Sequence, residues 1–108
     1  MDIDFTSIVV ENNQAAQRYQ AQIGQYLAIA AYRLDGDTIT FTHTQVPKDL
    51  EGHGVANKLA RTALEDARAR RLTVVPLCPF IASYIRRHQE YVALVDPAHR
   101  ERVTQDTH

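Results

Sequence analysis

The first half of the chain alternates between apolar and polar residues in a way that predicts an antiparallel sheet. Alternation over residues 3–9 predicts a half-buried strand, and the polar run at 11–14 predicts a turn. Residues 18–23 predict a second strand, and the apolar run 26–34 predicts a third strand that is buried on both faces. The alternating, β-branched residues 38–46 predict a fourth strand, which completes a meander.

The hydrophobic period changes after Pro47. Apolar residues recur at helical spacing over residues 55–71, a stretch without Gly or Pro, and predict an amphipathic helix. The short β-branched run 72–77 predicts a fifth strand, which should pair in parallel because a helix connects it to the fourth. A second helix is predicted to begin at Pro79, and residues 90–95 form a last short element.

These elements predict an α+β fold with a mixed, mostly antiparallel sheet and about two helices. Asp35-Gly36 lies between two β-forming runs and is the strongest hairpin signal in the chain. A length of 108 residues suits one domain, which we place at residues 1–95. Residues 96–108 are polar and are predicted to be a C-terminal tail that frays.

Composition excludes several classes of protein. The single cysteine, Cys78, excludes an intramolecular disulfide framework and a cysteine-based zinc site, and the scattered histidines lack metal-ligand spacing. The start of the chain does not resemble a signal peptide, so we expect an intracellular, cytoplasmic protein. The apolar run 26–32 is far shorter than the roughly 20 residues that a membrane helix needs.

The net charge is −1, but it is unevenly distributed, with an acidic first half and a basic second half. This is not the basic stripe of a nucleic-acid-binding domain, so no nucleic-acid partner is expected. A phosphate-bearing ligand on the second half would suit the distribution, and uneven surface charge without a function explains it equally well.

A glycine-containing loop, Gly52-His53-Gly54-Val55-Ala56, lies between a predicted strand and a predicted helix. Glycines let backbone N–H groups approach a phosphate, and the helix dipole favours the phosphate charge. The loop lacks the Lys-Ser/Thr pair of a Walker motif, and Asn57 occupies the place of the third glycine of the dinucleotide fingerprint. By itself this pattern is a weak signal, because simple turn glycines also produce it.

Residues 46–59, which contain this loop, resemble the acyl-CoA signature of the GNAT superfamily of N-acetyltransferases. Residues 41–47 and 75–88 resemble its small YjdJ-type subfamily. The resemblance covers nearly all of residues 3–95. It implies a minimal GNAT fold with a splayed fifth strand. Glu51 departs from the Arg or Gln that is usual in the signature, and the two helices that typically follow the first strand are missing.

The resemblance also implies a binding site for acetyl-CoA, the expected cofactor. The backbone of Gln45 and Val46 is expected to pair with the pantetheine arm, as an added strand would. The pyrophosphate is expected to be held by the loop and the helix start, namely Gly52, His53, Gly54, Val55, Ala56, Asn57 and Lys58. For His53, solvent exposure is the simpler interpretation.

Three side chains are candidates for catalysis. Cys78 is either a nucleophile that takes the acyl group first or a buried, inert cysteine. Tyr84 stands about where GNAT enzymes carry the tyrosine that protonates the departing thiolate, and a core aromatic is the alternative. His43 is either the base that deprotonates the incoming ammonium or a structural histidine bonded across the sheet.

The sequence therefore predicts transfer of an acetyl group from acetyl-CoA to a primary amine, either directly or through Cys78. The amine would be a protein lysine, a polyamine or another small amine, and the sequence does not rank them. It predicts no metal and no membrane partner, and it leaves the oligomeric state open. The rivals are a non-catalytic acyl-CoA-binding or sensing module and a structural interaction domain that uses its sheet edge.

Overall fold

The structure, a computed structural model, describes residues 8–104. Five strands form one sheet, and two α-helices are found among the described residues, together with short 3-10 helices at Lys48–Leu50, Gln89–Leu94 and Pro97–Arg102. The strands are β1 (Glu11–Asn13), β2 (Arg18–Ile23), β3 (Tyr26–Asp35), β4 (Thr38–Gln45) and β5 (Thr73–Pro76), and the helices are α1 (Val55–Ala69) and α2 (Pro79–Arg87).

The strands lie in the sheet in chain order, and the predicted pairing is confirmed. β1 to β4 are antiparallel neighbours, and β5 pairs in parallel with β4 after the α1 crossover. The β3–β4 hairpin turns at Gly36, whose φ of 59° is readily adopted only by glycine. The fold is α+β with a mixed sheet, as the sequence predicts.

The first strand is not where the alternation placed it. Residues 1–7, which carry most of the strand predicted at 3–9, lie outside the described residues, and Val9 is exposed. β1 instead occupies Glu11–Asn13, where the polar run predicted a turn. Its polar side chains bond to the neighbouring strand: Asn13 donates to Gln20 (3.2 Å), and Gln20 donates to Glu11 (2.8 Å). Side-chain hydrogen bonds thus replace apolar alternation in this edge strand.

β3 is buried on one face only, so the prediction of burial on both faces is wrong. Ala28, Ala30 and Tyr32 are buried, whereas the alternate residues Leu27 and Ile29 are half-buried. The buried face belongs to an antiparallel sheet with one side packed on helices, which has the alternating pattern typical of such sheets.

The core lies between that face of the sheet and α1. The side of α1 that faces the sheet is fully buried, because its Ala and Leu residues let the helix pack closely on the small residues of β3. Tyr19, Tyr32 and Phe41 add aromatic packing, with ring centroids 5.4–6.5 Å apart. The buried α1 residues are Val55, Leu59, Ala60, Ala63, Leu64 and Ala67.

The segment after Asp96 docks on the domain, so the prediction that it frays is wrong for the part that the structure describes. Pro97–Arg102 forms a 3-10 helix, and Val103 is fully buried. Arg86 donates to the carbonyl of Arg102 (2.6 Å), and Gln89 donates to that of Val103 (3.1 Å). The polarity of this segment therefore reflects hydrogen bonding as well as solvation.

Candidate active site

A β-bulge in β4 decides which side chains face the core. Ala31 pairs with His43 and Tyr32 pairs with Phe41, so Thr42 is an extra residue in β4. The bulge shifts the alternation by one residue. Thr44 therefore follows Phe41 on the core side, paired with the buried Ala30, and His43 lies on the opposite face.

Beyond the bulge, β4 and β5 separate. Their parallel pairing covers only Thr38 to Phe41, and the last bond joins the Cys78 N–H to the Phe41 carbonyl (2.9 Å). β4 continues to Gln45, which pairs with Ile29 of β3 on its other side. The end of β4 thus presents an unpaired backbone edge within the described sheet, and such an edge can accept an extended ligand as an added strand.

The loop after β4 leads into the start of α1. The 3-10 turn Lys48–Leu50 is anchored by Leu50, which is fully buried, and Gly52 and Gly54 have φ angles of 83° and 78°. Gly54 is the N-cap residue, and no side chain caps the helix. The first intrahelical bond runs from the Lys58 N–H to the Gly54 carbonyl (3.0 Å), so the preceding amides have no partner within the helix.

A cavity of about 320 Å³ lies at this helix start. It joins the end of β4 to the loop, to the first turn of α1 and to α2. It contains most of the residues predicted to bind the cofactor, while Gln45, His53 and Lys58 are not part of its lining. Its lining residues are Val46, Leu50, Glu51, Gly52, Gly54, Val55, Ala56, Asn57 and Phe80.

Cys78 lies at the apex of the opening between β4 and β5. It is buried and unoxidised, and its Sγ lies 3.3 Å from the Oγ1 of Thr44. Cys78 is also the N-cap residue of α2, whose first bond runs from the Ala82 N–H to the Cys78 carbonyl (3.0 Å). A hydroxyl and a thiol thus meet where the two strands diverge.

Tyr84 has different neighbours. Its ring stacks on His88 with centroids 4.1 Å apart, and it lies in an open groove of about 880 Å³ between α1 and α2. Burial raises the pKa of its hydroxyl above the ordinary value, and the nearby positive charge of Arg61 opposes this effect. Tyr84 is therefore protonated at neutral pH, as a proton donor must be.

His43 is exposed and lies on the face of the sheet opposite Thr44. The structure thus assigns different surroundings to Cys78, Tyr84 and His43, and their catalytic roles stay predictions. Thr44 had no place in the sequence analysis, because its contact with Cys78 depends on the bulge, which no local sequence pattern marks.

Two further classes of site were searched for in residues 8–104. No group of three or more His, Cys, Asp or Glu side chains there is arranged to hold a metal ion. None of the helices in that range combines the length and the apolar character needed to cross a bilayer.

The chain matches a known protein family. Residues 18–95, more than half of the chain, match the model of a family described as GCN5-related N-acetyl-transferase. The match begins at β2, includes the end of β4, the glycine loop and both helices, and ends after the 3-10 helix that follows α2. The five-stranded mixed sheet is consistent with a small GNAT fold. The chain therefore belongs to the GCN5-related N-acetyltransferase family.

Proposed function

We propose that this protein is an acetyl-CoA-dependent N-acetyltransferase that acts on a primary amine. One observation carries the proposal: the unpaired edge of β4 leads directly to a cavity at the uncapped start of α1. A backbone edge that can accept an extended arm thus lies next to helix amides that can accept an anion.

The residues at the start of α1 fit a pyrophosphate. The amides of Val55, Ala56 and Asn57 are unpaired within the helix, and the first turn of α1 contains no acidic residue. These amides and the positive end of the helix dipole favour an anion. Glu51, which lines the cavity, opposes this attraction and is expected to weaken it.

The other parts of the cavity fit the pantetheine arm. Val46, Leu50 and Phe80 provide an apolar lining, and the backbone of Gln45 and Val46 can bond to the amide groups of the arm. Acetyl-CoA, when bound, supplies a thioester whose carbonyl carbon an amine can attack. The chain's residues hold the arm and orient it toward the apex at Cys78.

The candidate catalytic side chains suit two routes. In direct transfer, His43 would accept a proton from the acceptor ammonium, and Tyr84 would donate one to the departing thiolate. In the two-step route, Cys78 would take the acyl group first, and Thr44 would orient its sulfur. The position of His43 on the opposite face of the sheet implies that the acceptor approaches from that side.

Calorimetry and a thiol-release assay test the proposal together. Acetyl-CoA should bind, and free thiol should appear when a lysine peptide, a polyamine or a small amine is added. Tyr84→Phe should lower kcat more than it changes KM if the phenol donates the proton. Cys78→Ala should abolish turnover, and the wild type alone should show an acetyl adduct by intact mass, if the two-step route operates. Full activity in Cys78→Ala would exclude that route, and the absence of acetyl-CoA binding would refute the proposal.

A second candidate function is a non-catalytic acyl-CoA-binding module. The burial of Cys78 favours it, because a nucleophile must be reached by the substrate with which it reacts. Binding without turnover on any amine would select this alternative. The assignment to the small YjdJ-type subfamily, the cytoplasmic location and the choice among acceptor amines belong to the proposal as well.

A further inference from the structure

The hydroxyl of Tyr84 differs from those of the other tyrosines. The chain contains five tyrosines, and four of them donate their hydroxyl to a carboxylate or an amide oxygen. The acceptors are Asp66 for Tyr19, Asp49 for Tyr26, Asn12 for Tyr32 and Glu65 for Tyr91. The Tyr84 hydroxyl has no hydrogen-bond partner among residues 8–104. Its proton is therefore available to a ligand.

This hydroxyl is accessible although the residue that carries it is buried. Tyr84 is 5% exposed. Within residues 8–104, no buried polar side-chain atom lacks a hydrogen-bond partner, so the unpartnered Tyr84 oxygen must reach the surface. Tyr84 lines the open groove between α1 and α2, which gives solvent a path to it. A hydroxyl that is neither bonded nor covered can donate its proton and take another from solvent.

Because no hydrogen bond fixes the Tyr84 hydroxyl, the packing of the ring sets its direction. His88 lies one helical turn further along and stacks on this ring, with centroids 4.1 Å apart and planes 28° apart. The ring of Tyr91 lies further away, at 6.1 Å, and the guanidinium of Arg87 is 5.9 Å from the Tyr84 centroid. Stacked rings attract each other beyond the area that they bury. His88 is therefore the closest aromatic restraint on Tyr84.

His88 is itself held firmly at the end of α2. Its N–H donates to the carbonyl of Ile85 (3.0 Å). The side-chain amide of the next residue, Gln89, donates to the carbonyls of Arg86 (2.9 Å) and Val103 (3.1 Å). Val103 is fully buried in the docked C-terminal segment. The imidazole thus projects from a fixed backbone and can hold a neighbouring ring in place.

From these contacts we infer that His88 is a positioning residue, which holds the Tyr84 ring in the orientation from which its hydroxyl gives a proton to the departing thiolate. The inference rests on the proposed function and deepens it by adding the side chain that orients the proposed proton donor. In that step the phenol O–H bond breaks, an S–H bond forms on coenzyme A, and solvent returns a proton to the phenolate. His88 contributes a flat ring and touches none of the reacting atoms.

Two substitutions separate the ring of His88 from its nitrogens. His88→Phe keeps a flat ring without the nitrogens, and His88→Leu removes both. NMR relaxation of the Tyr84 ring in the unliganded protein, with its signals identified by their loss in Tyr84→Phe, measures the restraint directly. The ring should be rigid in the wild type and in His88→Phe, and mobile in His88→Leu. A rigid Tyr84 ring in His88→Leu would overturn the inference.

Kinetics test whether the restraint serves catalysis. His88→Leu should lower kcat about fivefold, the value of one aromatic stack, and leave the KM for acetyl-CoA unchanged. His88→Phe should restore most of kcat. In a Tyr84→Phe background, His88→Leu should have no further effect, because the ring that it positions no longer carries a hydroxyl. His99→Leu is the matched control, since His99 lies on the 3-10 helix Pro97–Arg102 and its loss should change neither constant.

The outcomes separate the two proposals. Calorimetry with acetyl-CoA shows that each variant is folded. A loss of kcat in His88→Phe equal to that in His88→Leu, or a loss that persists in the Tyr84→Phe background, would overturn the inference while the proposed function stands. Wild-type kcat in Tyr84→Phe would do the same. Failure of the wild type to transfer acetyl groups to any amine would overturn the proposed function and the inference with it.

Discussion

The two ends of α1 are built in opposite ways. At the C-terminal end, the Leu72 N–H bonds to the Ala67 carbonyl (2.9 Å) and the Arg71 N–H to the Arg68 carbonyl (3.1 Å). These two bonds form a Schellman motif, which satisfies carbonyls that a helix end otherwise leaves free. At the N-terminal end, the cap residue is Gly54, and no side chain bonds to the first amides.

The difference is the one expected between a structural end of a helix and the ligand-binding end that we propose. A Ser, Thr, Asp or Asn side chain at the N-cap would typically stabilise the helix by roughly 0.3 kcal/mol relative to glycine. The chain forgoes that stabilisation and keeps the amides available to an outside anion. Changes at the N-terminal end should therefore alter ligand affinity, and changes at or near the C-terminal end should alter stability.

The largest effect is expected from Gly54→Asp. A carboxylate at the N-cap competes for the free amides and repels the pyrophosphate, so the affinity for acetyl-CoA should fall about a hundredfold by calorimetry. Gly36→Asp is the control, because Gly36 also has a positive φ, 59° against 78°, but lies in the β3–β4 turn. Equal affinities in the two variants would contradict a binding role for the start of α1.

A smaller effect, on stability alone, is expected from Tyr91→Phe. Tyr91 donates to Glu65 in the C-terminal half of α1, and losing this bond should lower the free energy of unfolding by about 1 kcal/mol at pH 7. Burial, followed by the bond to Glu65, raises the pKa of Tyr91 to about 12. Because this pKa lies above the ordinary value of about 10, Tyr91 contributes its full stabilisation of the fold below pH 10. The contribution is lost as the pH rises through 12, where the folded protein also loses the phenol proton.

Urea denaturation at a series of pH values measures the free energy of unfolding of both proteins. The difference in this free energy between wild type and Tyr91→Phe should narrow between pH 10 and pH 12. Tyr26→Phe is the control, since Tyr26 donates to Asp49 at an exposed site away from α1 and should cost less. A difference that stays constant up to pH 12 would disagree with the raised pKa.

The smallest effect is expected from Arg71→Gly. Arg71 holds the left-handed position of the Schellman motif with a φ of 57°, which glycine adopts without strain. The free energy of unfolding should rise by about 0.5–1 kcal/mol, and acetyl-CoA affinity should not change. Gln17→Gly serves for comparison, because Gln17 also has a positive φ, 53°. Its side chain accepts a hydrogen bond from the Leu34 N–H, so this substitution should raise the free energy of unfolding by less. A loss of stability in Arg71→Gly would argue against strain at this position.

Local sequence patterns predicted most of the fold. The bounds of β2 agree with the alternation, and the Asp35-Gly36 turn and the helical period of α1 gave the right elements. The predictions fail where polar groups form hydrogen bonds that hold a segment in place. β1 has polar side chains that bond across the strands, and Val103 anchors an otherwise polar segment. A pattern of hydrophobicity contains no information about such hydrogen bonds.

The candidate site was less predictable. The glycine loop was identified because its residues are contiguous, and the structure puts most of them in one cavity. The surroundings of Cys78, Tyr84 and Arg61 depend on how α2 leaves the sheet and on the register after Thr42. Both are set by tertiary packing, which the residues themselves do not reveal.

The extra residue in β4 decides which side chain lies beside the thiol. If Thr42 paired regularly with Ala31, His43 would take the place opposite Ala30 on the core side, and Thr44 would move to the opposite face. Deleting Thr42, by contrast, would remove the bulge and leave His43 opposite Ala31 and Thr44 opposite Ala30, so both side chains would keep their faces. The register of β4, and not the composition of the strand, therefore selects a hydroxyl over an imidazole beside Cys78.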